Sequence, residues 1–270
     1  MIITSAQNPR VKHIVALRDR RERERSGLMR VEGFEEVSLA LASGAQPVAL
    51  FFCPAFFRSA GQAALVERMR QAGAELIEVS ERIFEKVAYR DGPDGWLATF
   101  PTLDARLDAL RLSANPFLIV AESVEKPGNL GAMLRTADAA GVDALIAAAP
   151  HTDWNNPNIV RASKGALFSV PVAAADNEQT LRWLRRHQIQ IVAATPQAVT
   201  LYTDAELRGP VAIAVGEEKY GLSQTWLEAA DIQVRIPMFG QVDSLNVATA
   251  TALLVYEVVR QRATGARSLH

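Results

Sequence analysis

Three short polar clusters in the second half of the chain carry residue types that could bind and activate a polar substrate. They span Asn129–Arg135, Gly216–Gly221 and Ser244–Val247. Their amide, hydroxyl, carboxylate and guanidinium groups can hold hydroxyls or phosphates and assist the movement of a proton. Each cluster follows an apolar run typical of a buried parallel strand, and ligands of open α/β sheets collect beyond the carboxyl ends of such strands. The sequence therefore predicts one site at that edge of a sheet.

Each cluster also has a purely structural explanation. Asn129 and Ser244 could cap helix N-termini, and Gly216–Gly221 could form a charged surface turn. Arg135 is harder to explain in this way, because it falls in an otherwise apolar helix, where a cation is costly without an anionic partner. That partner could be Asp138 or a substrate phosphate, and the residues alone leave both open.

The composition narrows the kinds of site that the chain can hold. It has 270 residues, 49% of them hydrophobic, with a net charge of −1, and it contains neither the dinucleotide nor the P-loop glycine signature. A single cysteine, Cys53, excludes an internal disulfide, and the scattered histidines share no metal-ligand spacing, so we expect no metal. No apolar run reaches the length of a membrane span and no signal-peptide pattern opens the sequence, so we expect a cytoplasmic protein.

The first thirty residues are locally basic. Their cations are Arg10, Lys12, Arg18, Arg20, Arg21, Arg23, Arg25 and Arg30, against the acids Asp19, Glu22 and Glu24. Clustered arginines grip phosphates and supply the salt-sensitive part of nucleic-acid affinity. Taken alone, however, such a run is better explained as a solvated helix face with intrahelical Glu–Arg pairs.

Hydrophobic periodicity divides the chain into two α/β blocks. The first has predicted strands at 28–31, 48–53, 75–79 and 96–100 and helices at 34–42, 63–71 and 81–89. The second has strands at 117–121, 143–148, 171–174, 189–194, 211–215 and 232–236 and helices at 130–140, 158–166, 177–187 and 245–262. Strands that alternate with helices favour parallel pairing with helices on both faces. We place the first domain at 1–104, a linker at 105–116 and the second domain at 117–270.

At these three clusters the chain resembles the SpoU, or TrmH, branch of the SPOUT RNA methyltransferases. The matching motifs are Asn129-x-Gly131-x-x-x-Arg135, Gly216-x-Glu218-x-x-Gly221, Ser244-Leu245-Asn246-Val247 and, between them, Arg161-Ala162-Ser163-x-Gly165-Ala166. The resemblance covers residues 117–262. The opening Ser5–Lys12 and the step Val31–Gly33 are similar to the substrate-binding domain of members that modify ribosomal RNA. One departure is Ala248, where many relatives have a second serine.

The resemblance implies a fold, a cofactor and an assembly. It implies an α/β protein with a C-terminal parallel-sheet α/β-knot domain of the SPOUT type, threaded through a trefoil knot and preceded by a small α/β substrate-binding domain. It also implies a homodimer that binds S-adenosylmethionine in a bent shape. The cofactor-binding positions would be Thr195, Gly216, Ile236 and Leu245.

The implied reaction is methylation of a ribose 2′-hydroxyl in structured RNA. Ribosomal RNA of the 23S type is the favoured substrate and transfer RNA is the alternative. Arg135 would hold the adjoining phosphate and stabilise the developing alkoxide. The resemblance also leaves open that Arg135, or a phosphate it contacts, is the base, but we favour electrostatic assistance because a guanidinium keeps its proton. Glu218 would orient Arg135 or balance the local charge, Asn129 would complete the site, and Ser244 and Asn246 would place the ribose.

The same resemblance turns the basic N-terminal run into candidate RNA contacts. These are Arg10, Lys12, Arg18, Arg20, Arg21, Arg23 and Arg25. Two other functions stay open at this stage. One is a catalytically silent RNA-binding protein on the same fold, and the other is an enzyme that acts on a small metabolite.

Overall fold

Strands and helices alternate through most of the chain, of which the computed structural model describes residues 2–89 and 92–267. The strands are β1 (Leu28–Glu32), β2 (Ala49–Phe52), β3 (Glu75–Glu78), β4 (Trp96–Pro101), β5 (Phe117–Glu122), β6 (Ala144–Ala148), β7 (Val172–Ala175), β8 (Gln190–Ala194), β9 (Thr200–Leu201), β10 (Val211–Val215) and β11 (Ile232–Arg235). The helices are α1 (Pro9–Ala16), α2 (Arg20–Ser26), α3 (Phe34–Ala42), α4 (Ala60–Gln71), α5 (Glu81–Val87), α6 (Pro127–Ala140), α7 (Pro157–Ala162), α8 (Asn177–Arg186), α9 (Gln224–Ala229) and α10 (Val247–Arg267).

The chain forms two compact units. The first takes in the chain up to Leu103 together with Trp154–Ser169, and the second takes in Asp104–Asp153 and the chain from Val170 onward. The sequence-based domains place 154–169 in the second block, whereas the structure packs it with the first. The reason is apolar packing: α7 lies against β1, and the ring of Phe168 lies 5.9 Å from that of Phe100.

The first unit is built on a four-stranded mixed sheet in the order β1-β4-β2-β3. β4 runs antiparallel to both of its neighbours, and β2 and β3 are parallel. On α1, Val11 and Ile14 are buried against Phe84 and Ile83 of α5. Asn8 begins α1 by accepting a hydrogen bond from the backbone N–H of Arg10 at 2.9 Å, so this helix has a clear start that the hydrophobic pattern did not reveal.

The second unit is built on a seven-stranded parallel sheet in the order β7-β6-β5-β10-β8-β11-β9. Every residue of β5, β6 and β10 is buried, as expected for strands covered on both faces. Trp183, Leu184 and Trp226 fill the core on one side of the sheet, and α10 packs against α6 elsewhere in the unit. The leucines of the predicted linker pack against this core.

The strand order sets where the loops meet. β5, β10, β8 and β11 are consecutive neighbours and run in the same direction. The segments that follow them therefore emerge side by side at the carboxyl edge of the sheet. Among the described residues, none of the helices is long and apolar enough to cross a membrane.

Candidate active site

Asn129, Glu218 and Asn246 form one chain of hydrogen bonds. The side-chain amide nitrogen of Asn129 donates to Oε1 of Glu218, and that of Asn246 donates to Oδ1 of Asn129 at 3.1 Å. Nζ of Lys126 lies 3.9 Å from the same Glu218 oxygen, which places a cation beside the carboxylate. Three segments far apart in the sequence therefore converge on the amide of Asn129.

The fold explains this convergence. β5 and β10 pair in parallel register, with Val215 opposite Ala121, so α6 and the loop after β10 start from the same edge. α10 packs along α6 and brings its own first turn to that edge. Oδ1 of Asn246 accepts hydrogen bonds from the backbone N–H groups of Ala248 at 3.0 Å and Thr249 at 3.4 Å, which caps α10.

The residues that cap α6 and α10 are not those that the sequence suggested. α6 begins at Pro127 with Lys126 as its cap residue, so Asn129 lies inside the first turn and its side chain is free to join the site. Asn246, not Ser244, caps α10. The hydroxyl of Ser244 is exposed and donates to Asp243 at 3.0 Å.

Arg135 lies outside the hydrogen-bonded chain. Its side chain is exposed while Met133, Leu134 and Ala137 around it are buried, so the expected cost of placing a cation in an apolar helix does not arise. Within residues 2–89 and 92–267 its guanidinium has no hydrogen bond or ion pair, with neither Asp138 nor Glu218. It follows Asn129 by six residues, which corresponds to about 9 Å along the helix axis and roughly 120° around it.

The expected cofactor-binding positions fall on neighbouring loops. Thr195 follows β8, Gly216 follows β10 and Ile236 follows β11, which are adjacent strands. The backbone N–H of Thr195 donates to the carbonyl of Val234 at 2.9 Å, which ties the first of these loops to the neighbouring strand. The position of Leu245, one residue before the α10 cap, completes the set.

These loops carry exposed apolar side chains. Large apolar side chains are exposed on them: Val199 (92%), Phe239 (95%), Val242 (65%) and Leu245 (37%). Exposed apolar groups gathered at the polar edge of a sheet indicate a ligand surface. The backbone is also tightly packed at Gly216, because a Cβ at this position would lie 2.0 Å from the carbonyl carbon of Gly221.

A second polar group lies at the same edge and was not predicted. Glu125 follows β5, His151 follows β6 and Glu217 follows β10, and their potential ligand atoms all lie within 4.8 Å of one another. Comparing the spacing of histidines along the chain missed this group, because it is assembled by strand order. Exposed acidic groups of this kind are common without a metal, and the expectation of no metal stays a prediction.

The basic N-terminal residues divide by their contacts. Arg23 is buried and its Nη1 donates to the carbonyls of Leu17 and Arg18, so its guanidinium supports the chain and does not reach the surface as predicted for an RNA contact. Three more are paired with acids: Arg10 with Glu75, Arg20 with Glu24 and Arg25 with Glu22. The intrahelical explanation therefore accounts for Arg20 and Arg25. Lys12 and Arg21 have exposed side chains.

Comparison with known proteins connects this geometry to a family. Residues 116–256 match the model of the SpoU rRNA Methylase family, and residues 8–98 match the MRM3-like substrate binding domain. The 23S rRNA (guanosine-2′-O-)-methyltransferase RlmB of Ralstonia nicotianae is 31% identical over 85% of this chain and 94% of its own length.

Solved structures agree over nearly the whole chain. A crystal structure of an RNA 2′-O ribose methyltransferase is 41% identical, with a TM-score of 0.85, and covers 97% of this chain and 100% of its own. An AdoMet-bound rRNA methyltransferase from Sinorhizobium meliloti is 30% identical, with a TM-score of 0.88, over 96% of this chain and 97% of its own.

These matches confirm two predictions from the sequence. The first is the fold class, a parallel-sheet α/β-knot domain of the SPOUT type preceded by a small α/β substrate-binding domain. The second is the family itself, since the family model covers the three motifs and the hydrogen-bonded chain they build. The chain belongs to the SpoU rRNA methylase family.

Proposed function

We propose that this chain transfers a methyl group from S-adenosylmethionine to a ribose 2′-hydroxyl in ribosomal RNA of the 23S type. The single observation that carries the proposal is the hydrogen-bonded chain of Asn129, Glu218 and Asn246, which stands beside the expected cofactor loops in a member of this family. The relative from Ralstonia nicotianae is named as a 23S rRNA enzyme, and the S. meliloti relative was solved with AdoMet bound.

The residues of the chain would position the hydroxyl that reacts. When bound, S-adenosylmethionine supplies an electrophilic methyl group on a sulfonium. Asn129 is held on both sides, because one amide hydrogen is given to Glu218 and its oxygen accepts from Asn246. Each of the two asparagines retains a second amide hydrogen, and Glu218 retains Oε2, so the cluster still offers donors and an acceptor to a ribose.

Cations of the first motif offset part of the negative charge at the site. Nζ of Lys126 lies 3.9 Å from Glu218, while Glu125 and Glu217 add negative charge at the same edge. Arg135 is exposed and free to hold the phosphate beside the target nucleotide, where its charge would stabilise the alkoxide that develops during transfer. The role of Arg135 in this proposal is electrostatic. Glu218 accepts a hydrogen bond from Asn129 and pairs with Lys126, so in this proposal it does not orient Arg135.

We further propose that the protein is a cytoplasmic homodimer and that part of the basic N-terminal run contacts RNA. Leu253 and Tyr256 expose apolar surface on α10, at 39% and 50%, which suits a homodimer contact. A cytoplasmic location follows from the proposed ribosomal RNA substrate. Lys12 and Arg21 are the residues of the predicted basic run that are best placed to contact RNA phosphates.

The test is methyl transfer from labelled S-adenosylmethionine to 23S rRNA and to tRNA, followed by mapping of the modified nucleotide. We expect a 2′-O-methyl group in 23S rRNA. Methylation of tRNA alone would support the alternative substrate, and RNA binding without transfer would support a silent RNA-binding protein.

Arg135→Ala should abolish transfer while RNA and cofactor still bind. Arg186→Ala, an exposed arginine of α8, is the matched control and should remain active.

A further inference from the structure

A small concavity in the first unit brings together charged residues that the proposed reaction does not use. It is lined by Arg30, Glu32, Tyr89, Pro157 and Arg161. β1 supplies Arg30 and Glu32, the segment after α5 supplies Tyr89, and α7 supplies Pro157 and Arg161. All of these elements belong to the first unit.

Arg30 forms the base of the concavity. Its side chain is 1% exposed, and its Nη2 donates to the carbonyl of Val87 at 2.8 Å and to Glu32 at 3.1 Å. Its Nη1 donates to the carbonyl of Ile14 at 3.3 Å, whereas the buried Nε has no hydrogen-bond partner. Burial lowers the pKa of Arg30 to about 10, which still leaves the group cationic at neutral pH. A buried donor without a partner is costly, so a ligand or a water that reaches it is favoured.

Two further guanidiniums gather around the Tyr89 ring. The guanidinium carbon of Arg18 lies 5.4 Å from the ring centre and that of Arg161 lies 5.9 Å from it. Arg18 is also fixed by hydrogen bonds to the carbonyls of Val87 and Ala88. Arg161 is exposed and, in the part of the chain that the structure describes, has no hydrogen bond or ion pair.

Tyr89 is held in a defined orientation. Its backbone N–H donates to Oε2 of Glu32 at 2.8 Å, and its hydroxyl accepts a hydrogen bond from the side chain of Asn158 at 3.2 Å. Tyr89 remains 42% exposed. A fixed, exposed aromatic ring beside guanidiniums is an arrangement that proteins use to bind nucleic acid without reading its sequence.

The balance of charge favours an anion. Arg18, Arg30 and Arg161 supply three positive charges, and Glu32 supplies one negative charge. The carboxylate of Glu32 is already engaged by Arg30 and by the backbone of Tyr89. The cluster therefore carries excess positive charge next to an unpartnered buried donor, and the exposed fork of Arg161 matches the geometry of a phosphate.

We propose that this cluster binds one phosphodiester group of the RNA substrate, with Arg161 as its principal contact. The ring of Tyr89 holds Arg161 in position, and the guanidiniums of Arg18 and Arg30 add positive charge that stabilises the bound anion. This inference rests on the proposed function, and it adds Arg161 as an RNA contact in the first unit, beside Arg18 of the predicted basic run. It also gives a use to Arg161, which the sequence marked only as part of a motif.

The test compares matched variants of the full-length protein. Arg161→Ala removes the principal contact, Arg161→Lys keeps its charge without the planar fork, and Arg68→Ala removes an equivalent exposed arginine from α4. Affinity for a 23S rRNA fragment is measured from low to high salt, and affinity for S-adenosylmethionine is measured in parallel. Inorganic phosphate is titrated separately, with thermal stability as the readout.

We expect Arg161→Ala to weaken RNA binding roughly five- to tenfold at 0.1 M salt and to reduce the slope of log K against log salt by about one. Arg161→Lys should recover the slope but only part of the affinity. S-adenosylmethionine should bind all variants equally. Because this readout is binding, it is independent of whether the wild-type protein methylates 23S rRNA, so failure of the proposed function is detected separately.

Two results would overturn the proposal. In the first, Arg161→Ala and Arg68→Ala have the same RNA affinity and the same salt slope. In the second, inorganic phosphate stabilises the wild type and not Arg161→Ala while RNA affinity is unchanged, which would make the cluster a site for a free anion. Tyr89→Phe retains the ring and loses the hydrogen bond from Asn158, so RNA affinity near that of the wild type is expected in this variant and would show that the hydroxyl is not required.

Discussion

A single amide links the three motifs of the second unit. The sequence predicted that Asn129, Glu218 and Asn246 share a site, and the structure joins them by hydrogen bonds. Which residue contacts which could not be predicted, because the contacts depend on how α6 and α10 are rotated against each other. The exposed position of Arg135 was missed for the same reason, since apolar neighbours in the sequence do not show which face of a helix is buried.

Asn246 has two tasks that one substitution can separate. Its Oδ1 caps α10 and its amide nitrogen donates to Asn129. Aspartate is an equally good cap but has no side-chain N–H. We therefore expect Asn246→Asp to unfold near the wild-type temperature while its kcat falls at least tenfold. Asn246→Ala should lose activity as well and also lose about 1 kcal/mol of stability with the cap.

Thermal unfolding and methyl-transfer kinetics measure these two effects in the same preparations. An Asn246→Asp variant with wild-type kcat would show that the bond to Asn129 has no part in the reaction.

The elements of the sheet were the easiest part of the chain to predict. The apolar run at β10 matches its observed bounds, and α3 does so too. α9 and the two-residue strand β9 were missed, because elements this short carry too few residues to show a period. α1 and α2 were not predicted either, because they lie in a short, charged segment with few apolar residues to show a helical period.

The loop after β10 depends on the absence of one side chain. A Cβ at Gly216 would lie 2.0 Å from the carbonyl carbon of Gly221, which is backbone and cannot rotate away. We expect Gly216→Ala to cost about 1–3 kcal/mol of folding stability. The variant should also bind the cofactor more weakly, because the loop must open to make room for the alanine side chain.

Gly209→Ala is the matched control. No atom lies within 4 Å of a Cβ at Gly209, and its φ is not in the left-handed region, so this variant should keep its stability and its cofactor affinity. Denaturant unfolding and calorimetric titration with S-adenosylmethionine provide the comparison. Equal behaviour of the two variants would contradict the tight packing inferred for Gly216.

At the scale of the whole molecule, the proposed homodimer would use the exposed face of α10. Tyr202, Thr249, Ala252, Leu253, Tyr256 and Glu257 line an open groove of about 410 Å³. A groove that includes half-exposed tyrosine and leucine side chains is typical of a surface that a second protein covers. The sequence alone could not locate this face, because the apolar residues of α10 occur all around the helix.

Placing a charge on this face should separate the proposed homodimer. We expect Tyr256→Glu and Leu253→Glu to sediment as monomers, because burial of an unpaired carboxylate in an apolar interface is unfavourable. Ala63→Glu, on an exposed position of α4, should sediment like the wild type. Analytical ultracentrifugation over a range of concentrations measures this, and a wild-type protein that is monomeric throughout would contradict the proposal.

Trp154–Ser169 belongs to the first unit, and this affects how the protein can be truncated or its domains exchanged. The polypeptide passes from one unit to the other three times, near residues 103, 153 and 169. A fragment that stops at the predicted linker would therefore lack α7 and its packing against β1. A chimera that takes its amino-terminal half from one relative and the rest from another would also be affected, because Tyr89 and Arg161 would come from different proteins. These two residues have to be exchanged together, although more than seventy positions separate them.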